Sequence, residues 1–236
     1  MLICGLQKLS LLDYPEKLAA TIFTGGCNYR CPFCHNASLV NRVSECAPIP
    51  EAEVLEFLGK RIGKLDGVCI TGGEPLLWDD LADFITEVRR LGFLIKLDTN
   101  GSLPDKLASL IERGLLDYVA MDIKNTPKKY PLTVGVEGFD PAPVFESARL
   151  LMQGAVDYEF RTTLVRQFHT AEDIKEIGQL LSGAKNYFLQ NFVDSGDLVG
   201  FANASPELPL SGFEKSEIED FHKILSSYVQ NAAMRI

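Results

Sequence analysis

Six short apolar runs alternate with segments of helical spacing over most of this chain, and that alternation limits the fold more than any other feature. The runs span 18–23, 67–71, 93–97, 118–121, 158–165 and 187–192. Between them, 51–64 places Val54, Leu55, Leu58 and Ile62 at helical spacing, and 78–91 does the same with Leu81, Phe84, Ile85 and Val88. Further helices are predicted over 105–113, 144–153 and 171–181, with a closing helix over 213–230. Strand and helix repeated in this way predict a parallel sheet covered by helices. A complete eight-unit barrel takes about 250 residues. Six units in 236 residues therefore suit an open, partial barrel, although a doubly wound sheet satisfies the same periodicity. Residues 1–18 read as mixed, with a turn at Asp13-Tyr14-Pro15. Residues 37–50 read as irregular, 128–143 as a loop, and the stretch before the closing helix as a polar, Gly- and Pro-rich connection. No domain boundary, internal repeat or low-complexity tract interrupts residues 1–236, so one domain is expected, with its core over about 18–195.

The first strand runs straight into Thr24-Gly25-Gly26-Cys27-Asn28-Tyr29-Arg30-Cys31-Pro32-Phe33-Cys34-His35-Asn36. Three residues separate Cys27 from Cys31, and two separate Cys31 from Cys34. Electron-transfer clusters ordinarily take four cysteines. Three thiolates can hold three irons of a cubane and leave the fourth open to a small molecule. Two other readings exist: a Cys3His zinc site using His35, and disulfides, for which nothing in the sequence suggests export. Of the other cysteines, Cys69 lies in an apolar run and reads as a small buried hydrophobe. Cys4 and Cys46 are scattered, and these three cannot easily supply a second cluster. All six are expected to be free thiols in a reducing compartment.

Polar groups recur at the C-terminal ends of the other runs, the edge where parallel α/β folds build their sites. Gly72-Gly73-Glu74 follows the second, Asp98-Thr99-Asn100-Gly101 the third, and Asp122-Ile123-Lys124 the fourth. Arg161 and Thr163 lie in the fifth, and Gln190 and Asn191 near the end of the sixth. Each has a plainer reading as well. Glu74 suits the first turn of a helix, Asp98-Thr99-Asn100-Gly101 is a turn signal, Lys124 can be a solvated lysine, and Arg161 can serve a structural ion pair. His169, in a loop, reads as ordinary.

The net charge of −9 argues against a nucleic-acid partner. Neither a signal segment nor an apolar run of spanning length is present, and a cytoplasmic location is expected.

The cysteine spacing, with aromatic Phe33 before the last cysteine, resembles the radical S-adenosylmethionine superfamily. The run Gly26–Asn36 resembles the activating enzymes of glycyl-radical proteins. The resemblance implies a (β/α)6 partial barrel, a [4Fe-4S] cluster on Cys27, Cys31 and Cys34, and S-adenosylmethionine as cofactor. It implies that Gly72-Gly73-Glu74 binds the methionine amino group, that Phe33 and the backbone near His35 contact the adenine, and that Lys124 contacts the cofactor; Arg161, flanked by apolar strand residues, is expected to meet the cofactor carboxylate or a structural ion pair. It also implies a monovalent cation held by Asp98, Thr99, Asp122 and the Ala120 carbonyl. Gln190-Asn191 stands where pyruvate formate-lyase activase carries a histidine, a departure at the ribose contact. Ser10-Leu11-Leu12-Asp13-Tyr14-Pro15-Glu16-Lys17-Leu18 resembles the activating proteins of anaerobic ribonucleoside-triphosphate reductase. That enzyme is then the expected partner, with flavodoxin or ferredoxin as electron donor. The alternatives are another glycyl-radical partner such as pyruvate formate-lyase, a non-catalytic iron–sulfur carrier, and a zinc-stabilised binding module.

Overall fold

The computed structural model describes residues 1–200 and 209–235. The eight strands of those residues form one sheet in chain order: β1 (Ile3–Ser10), β2 (Ala19–Thr24), β3 (Gly67–Gly72), β4 (Leu94–Thr99), β5 (Tyr118–Asp122), β6 (Asp157–Leu164), β7 (Asn186–Asn191) and β8 (Asn231–Arg235). Strands β2 to β8 are parallel, and β1 lies antiparallel to β2. Sequential parallel neighbours joined by right-handed crossovers keep their helices on one face. A doubly wound sheet needs a reversal of strand order, and here the order never reverses. The fold is the partial barrel, with β2 to β7 supplying the six expected strands.

The helices are α1 (Ala37–Val40), α2 (Glu51–Gly59), α3 (Leu81–Arg90), α4 (Pro104–Glu112), α5 (Tyr130–Val134), α6 (Ala142–Met152), α7 (Ala171–Leu180) and α8 (Lys215–Ser226). Helix α3 shows the local logic. Its buried residues are Leu81, Phe84, Ile85 and Val88, the face its spacing predicts, with Arg89 and Arg90 in the last turn where cations oppose the helix dipole.

Four expectations need correction. Residues 3–10 form a strand, but an edge strand whose middle is half to fully exposed, so apolar alternation is missing. The closing helix stops at Ser226, and the chain then enters the sheet as β8. Gln230 N donates to Ala184 O at 2.8 Å and Asn231 N to Lys185 O at 3.0 Å, drawing the segment beside β7. The expected loop over 128–143 contains α5, ended by Gly135 at φ 66. Finally, Cys4 and Cys46 form a disulfide with Cα atoms 5.6 Å apart. Their separation of 42 residues hid the fact that β1 runs beside the cysteine loop. Ile49 N donates to Ile3 O at 2.9 Å, returning the segment after α1 to the start of β1. The connection before α8 falls partly outside the described residues.

Candidate active site

At the C-terminal ends of the strands, turns that carry polar residues are laced together. Gly26 O accepts from Glu74 N at 2.8 Å, so the cysteine loop and the turn after β3 touch through main chain. A Cβ on Gly73 would stand 1.9 Å from Gly26 O, so only glycine permits this crossing. Asn36 Nδ2 donates to Gly72 O at 3.0 Å. On the other side, Asn100 Nδ2 donates to Asn28 Oδ1 and Asn28 Nδ2 to Ser102 Oγ, each at 2.8 Å. From outside, residues 193–200 lie across the cysteine loop. Val199 N donates to Cys34 O and Gly200 N to Pro32 O, both at 3.0 Å. Asn41 Nδ2 donates to Val199 O at 3.0 Å, and Arg42 pairs with Asp197 at 2.7 Å.

Inside this frame lies a cavity of about 470 Å³. Cys27, Cys31 and Cys34 are unpaired and all three line it. So do Phe33 and His35, Gly72 and Gly73, Asp98 and Thr99, Asp122 and Lys124, Arg161 and Thr163, and Gln190. Three expected residues are elsewhere. Ala120 is fully buried within β5. Asn191 is engaged with Phe213, donating to its carbonyl and accepting from its N–H, each at 2.9 Å. Glu74 is 0% exposed behind the wall. Its Oε1 accepts from Leu76 N at 3.0 Å and Thr99 Oγ1 at 2.8 Å, and its Oε2 from Asn100 N at 2.7 Å. It caps the short 3-10 helix Pro75–Leu77 and ties it to the turn after β4. His169 is structural: it is buried, with Nδ1 accepting from Val165 N at 3.1 Å and Nε2 2.8 Å from Lys124 O.

Sequence reasoning missed several participants. Asn36 and Asn100 line the cavity, and their signal was only adjacency to the cysteines and to a turn. Lys96 and Glu159 had a clearer one, since a charge within an apolar strand must find a partner; Arg235, at the end of the unforeseen β8, had none. Lys96 is 2% exposed and Glu159 1%. Lys96 pairs with Asp98, and Arg235 makes two 3.0 Å bonds to the Glu159 carboxylate. Arg161 joins the rest: Nη1 to Asp98 Oδ2 at 3.2 Å and Nε to Asp122 Oδ1 at 3.1 Å. Lys124 Nζ donates to Asp122 Oδ2 at 2.9 Å. Burial alone would raise both aspartates. Lys124 and Arg161 outweigh it and bring Asp122 down to about 2, and Arg161 and Lys96 hold Asp98 below its ordinary value.

The cysteines go the other way. Burial pushes Cys27 up to about 11 and Cys31 to about 12. Thiols held there stay protonated at neutral pH, and iron must displace their protons. Among the described residues no group of three or more His, Cys, Asp or Glu converges on a single ion. His35 Nε2 lies 2.7 Å from Val193 O, with its ring stacked on Phe192. This arrangement is not a mononuclear Cys3His site. It leaves three soft donors lining one roomy cavity, with Cys69 buried apart from them and 3.7 Å from both Asp98 and Lys96.

Burial also pushes Glu74 up to about 7, against the pull of its donors Asn100 N, Thr99 Oγ1 and Leu76 N. Its folded value lies above the ordinary 4.5, so the folded state keeps a proton that the unfolded chain has lost. The stability this supplies is complete below about pH 4.5 and disappears as pH rises through 7. Glu74→Gln is expected to remove this falling limb. Denaturation midpoints of both proteins at pH 5 and pH 8 check it, and an unchanged gap between variant and wild type would show that the carboxyl does not titrate in this range.

The Radical SAM superfamily profile matches residues 21–181, which span the cysteine loop and the strands from β2 to β6. The chain belongs to this superfamily. A relative of similar length bears this out. MJ1227 of Methanocaldococcus jannaschii, named as a glycyl-radical enzyme activating enzyme, is 30% identical over 239 residues, covering 99% of this chain and 95% of its own. The 7-carboxy-7-deazaguanine synthase of Methanopyrus kandleri is 37% identical over 118 residues, 42% of this chain and 46% of its own. Among solved structures, a domain of pyruvate-formate lyase-activating enzyme from Bacteroides vulgatus superposes with a TM-score of 0.58 at 16% identity, over 72% of this chain and 99% of that one. Streptococcus suis SuiB bound to S-adenosylmethionine gives 0.65 at 14% identity, over 92% and 52%. Both establish the likeness of fold. This is a radical SAM enzyme, of the family that uses a [4Fe-4S] cluster and S-adenosylmethionine, and three free thiols lining one cavity suit a cluster with one iron left open.

The monovalent cation fits less well. Both oxygens of Asp98 and both of Asp122 are already engaged by Lys96, Arg161 and Lys124. Thr99 Oγ1 donates to Glu74 and accepts from Gly101 N at 3.1 Å.

Proposed function

We propose that this chain activates a glycyl-radical enzyme, with anaerobic ribonucleoside-triphosphate reductase as its partner. The observation that carries the reading is that the three free cysteines line one cavity together with Gly72, Gly73, Asp98, Asp122, Lys124 and Arg161. The near full-length likeness to MJ1227 supports the class. The segment around Asp13-Tyr14-Pro15 supports the partner.

In this reading Cys27, Cys31 and Cys34 hold three irons. The main chain at Gly72 and Gly73 receives the cofactor's amino group, Lys124 and Arg161 face its carboxylate, and Phe33 with the backbone near His35 packs on the adenine. Thr163 and Gln190, which line the same cavity, are assigned to the ribose. Glu74 acts at one remove, by fixing Thr99 and Asn100. When bound, cluster and cofactor supply a 5′-deoxyadenosyl radical through one-electron reductive cleavage, and a glycine of the partner yields its hydrogen. The protein's own work is binding, orientation and exclusion of water; no acid–base pair is needed. The electron comes from a strongly reducing flavodoxin or ferredoxin in the cytoplasm, and the whole chain serves as a single domain. No helix among the described residues is long and apolar enough to cross a membrane.

The test is anaerobic incubation of the reconstituted, reduced protein with S-adenosylmethionine and purified partners. A glycyl doublet in electron paramagnetic resonance is expected on the reductase. A doublet on pyruvate formate-lyase alone would move the assignment to that partner. Failure to form 5′-deoxyadenosine under dithionite would remove the catalytic reading altogether and leave an electron carrier.

A further inference from the structure

Six charged side chains of β4, β5, β6 and β8 and the lysine just after β5 form one connected set, four of whose members line the cavity. Its carboxylates are Asp98, Asp122 and Glu159; its cations are Lys96, Lys124, Arg161 and Arg235. Lys96 and Asp98 are two residues apart on β4 and so share a face of the strand. With Lys96 2% exposed, its ammonium cannot turn to solvent, and its partners are Asp98 and the Cys69 thiol. On the other side of Asp98, the Arg161 guanidinium spans to Asp122. Each oxygen that could coordinate a small cation is thus met by a nitrogen of the protein. The remaining acid on the cavity wall, Asp13, stands outside this set and accepts from Thr21 Oγ1 at 2.6 Å.

We propose that in this chain the buried Lys96 ammonium, together with Arg161, does between Asp98 and Asp122 what a monovalent metal cation would do, so that S-adenosylmethionine binds without one. The set then holds four cations against three carboxylates, and the carboxylate of the cofactor's methionyl part is the anion that completes it. This deepens the radical SAM reading of the cavity and rests on it. The geometry makes Lys96 a positioning residue. It touches Asp98 rather than the cofactor, and it fixes the carboxylate against which Arg161 is oriented.

The test measures cofactor affinity of the reconstituted holoenzyme by calorimetry in potassium, sodium and choline buffers of equal ionic strength. The wild-type dissociation constant is expected to agree within about twofold across the three, since direct protein ion pairs leave no site for the metal. The thermal midpoint of the apoprotein should likewise not move between potassium and choline. Lys96→Met, which keeps length and removes charge, is expected to weaken binding at least tenfold in choline and to recover with potassium in a saturable way. A wild-type affinity that falls tenfold in choline and returns with potassium overturns the proposal, whether or not Lys96→Met folds. Equal affinity of Lys96→Met in all three salts overturns the part assigned to Lys96. Absence of cofactor binding in every salt is a different result: it removes the reading of the cavity itself, and the proposal with it.

Discussion

Cys31→Ser is expected to give a folded protein that retains less than a tenth of its iron and sulfide after anaerobic reconstitution and produces no 5′-deoxyadenosine. Cys31 is the most enclosed of the three, 6% exposed. A serine hydroxyl there fills the same space, but it is a hard donor that does not hold iron in place of a thiolate. The structural part of the change is small, because a single slightly smaller oxygen replaces sulfur and the loop is anchored by other bonds. Arg30 N donates to Val134 O at 2.8 Å and Gly26 N to Leu39 O at 2.8 Å. Circular dichroism should therefore match wild type while metal analysis does not. A variant that kept its cluster and its turnover would show that Cys31 is not a ligand.

Gly72→Ala should act through the fold. Gly72 ends β3 at φ 119, a conformation that side chains avoid, and pairs with Thr24 of β2. An added Cβ would stand 2.4 Å from Thr24 N and 2.5 Å from Thr24 O. These are sheet backbone atoms that cannot swing away. Strain and overpacking together are expected to cost roughly 3 kcal/mol or more. For a chain of this size that lowers the melting midpoint by roughly 6–12 °C. Cofactor affinity should fall with it, since Asn36 holds the Gly72 carbonyl beside the cysteine loop. Differential scanning calorimetry reads the first effect; a fall of less than 2 °C would show that the β2–β3 register at Thr24 and Gly72 is misplaced.

The central part of this molecule could be read directly from residues because local pattern and global fold agree there. Strands β2 to β7 carry the apolar runs of buried parallel strands, β2 to β5 end in turns that line the same cavity, and β6 and β7 place Arg161, Thr163 and Gln190 on it from within the strand. What stayed hidden was carried by long-range pairing. β1 is an edge strand with exposed middle residues, β8 is drawn into the sheet by bonds to Ala184 and Lys185, and Cys4 meets Cys46 only because β1 lies beside the cysteine loop. The site shows the same division. Cys27, Cys31, Cys34, Asp98, Asp122, Lys124 and Arg161 announce themselves by type and position. Lys96 and Glu159 look like interruptions of apolar strands until their partners are known, and Asn191 looks like a site residue until its bonds to Phe213 are seen. Glu74 carried two readings, cap and ligand. Its oxygens accept from three donors of the protein, so its weight falls on the cap.

The stretch that crosses the cysteine loop from outside makes the placement of that loop depend on residues far along the chain. Val199 and Gly200 bond the carbonyls of Cys34 and Pro32, and Asp197 reaches Arg42. A protease that nicks the backbone near Asp197 would touch no cysteine and no strand, yet it would unroof the loop that presents two of the three thiols. Damage at that distant point would register first as rust, in bleached colour and lost iron, well before any melting curve changed.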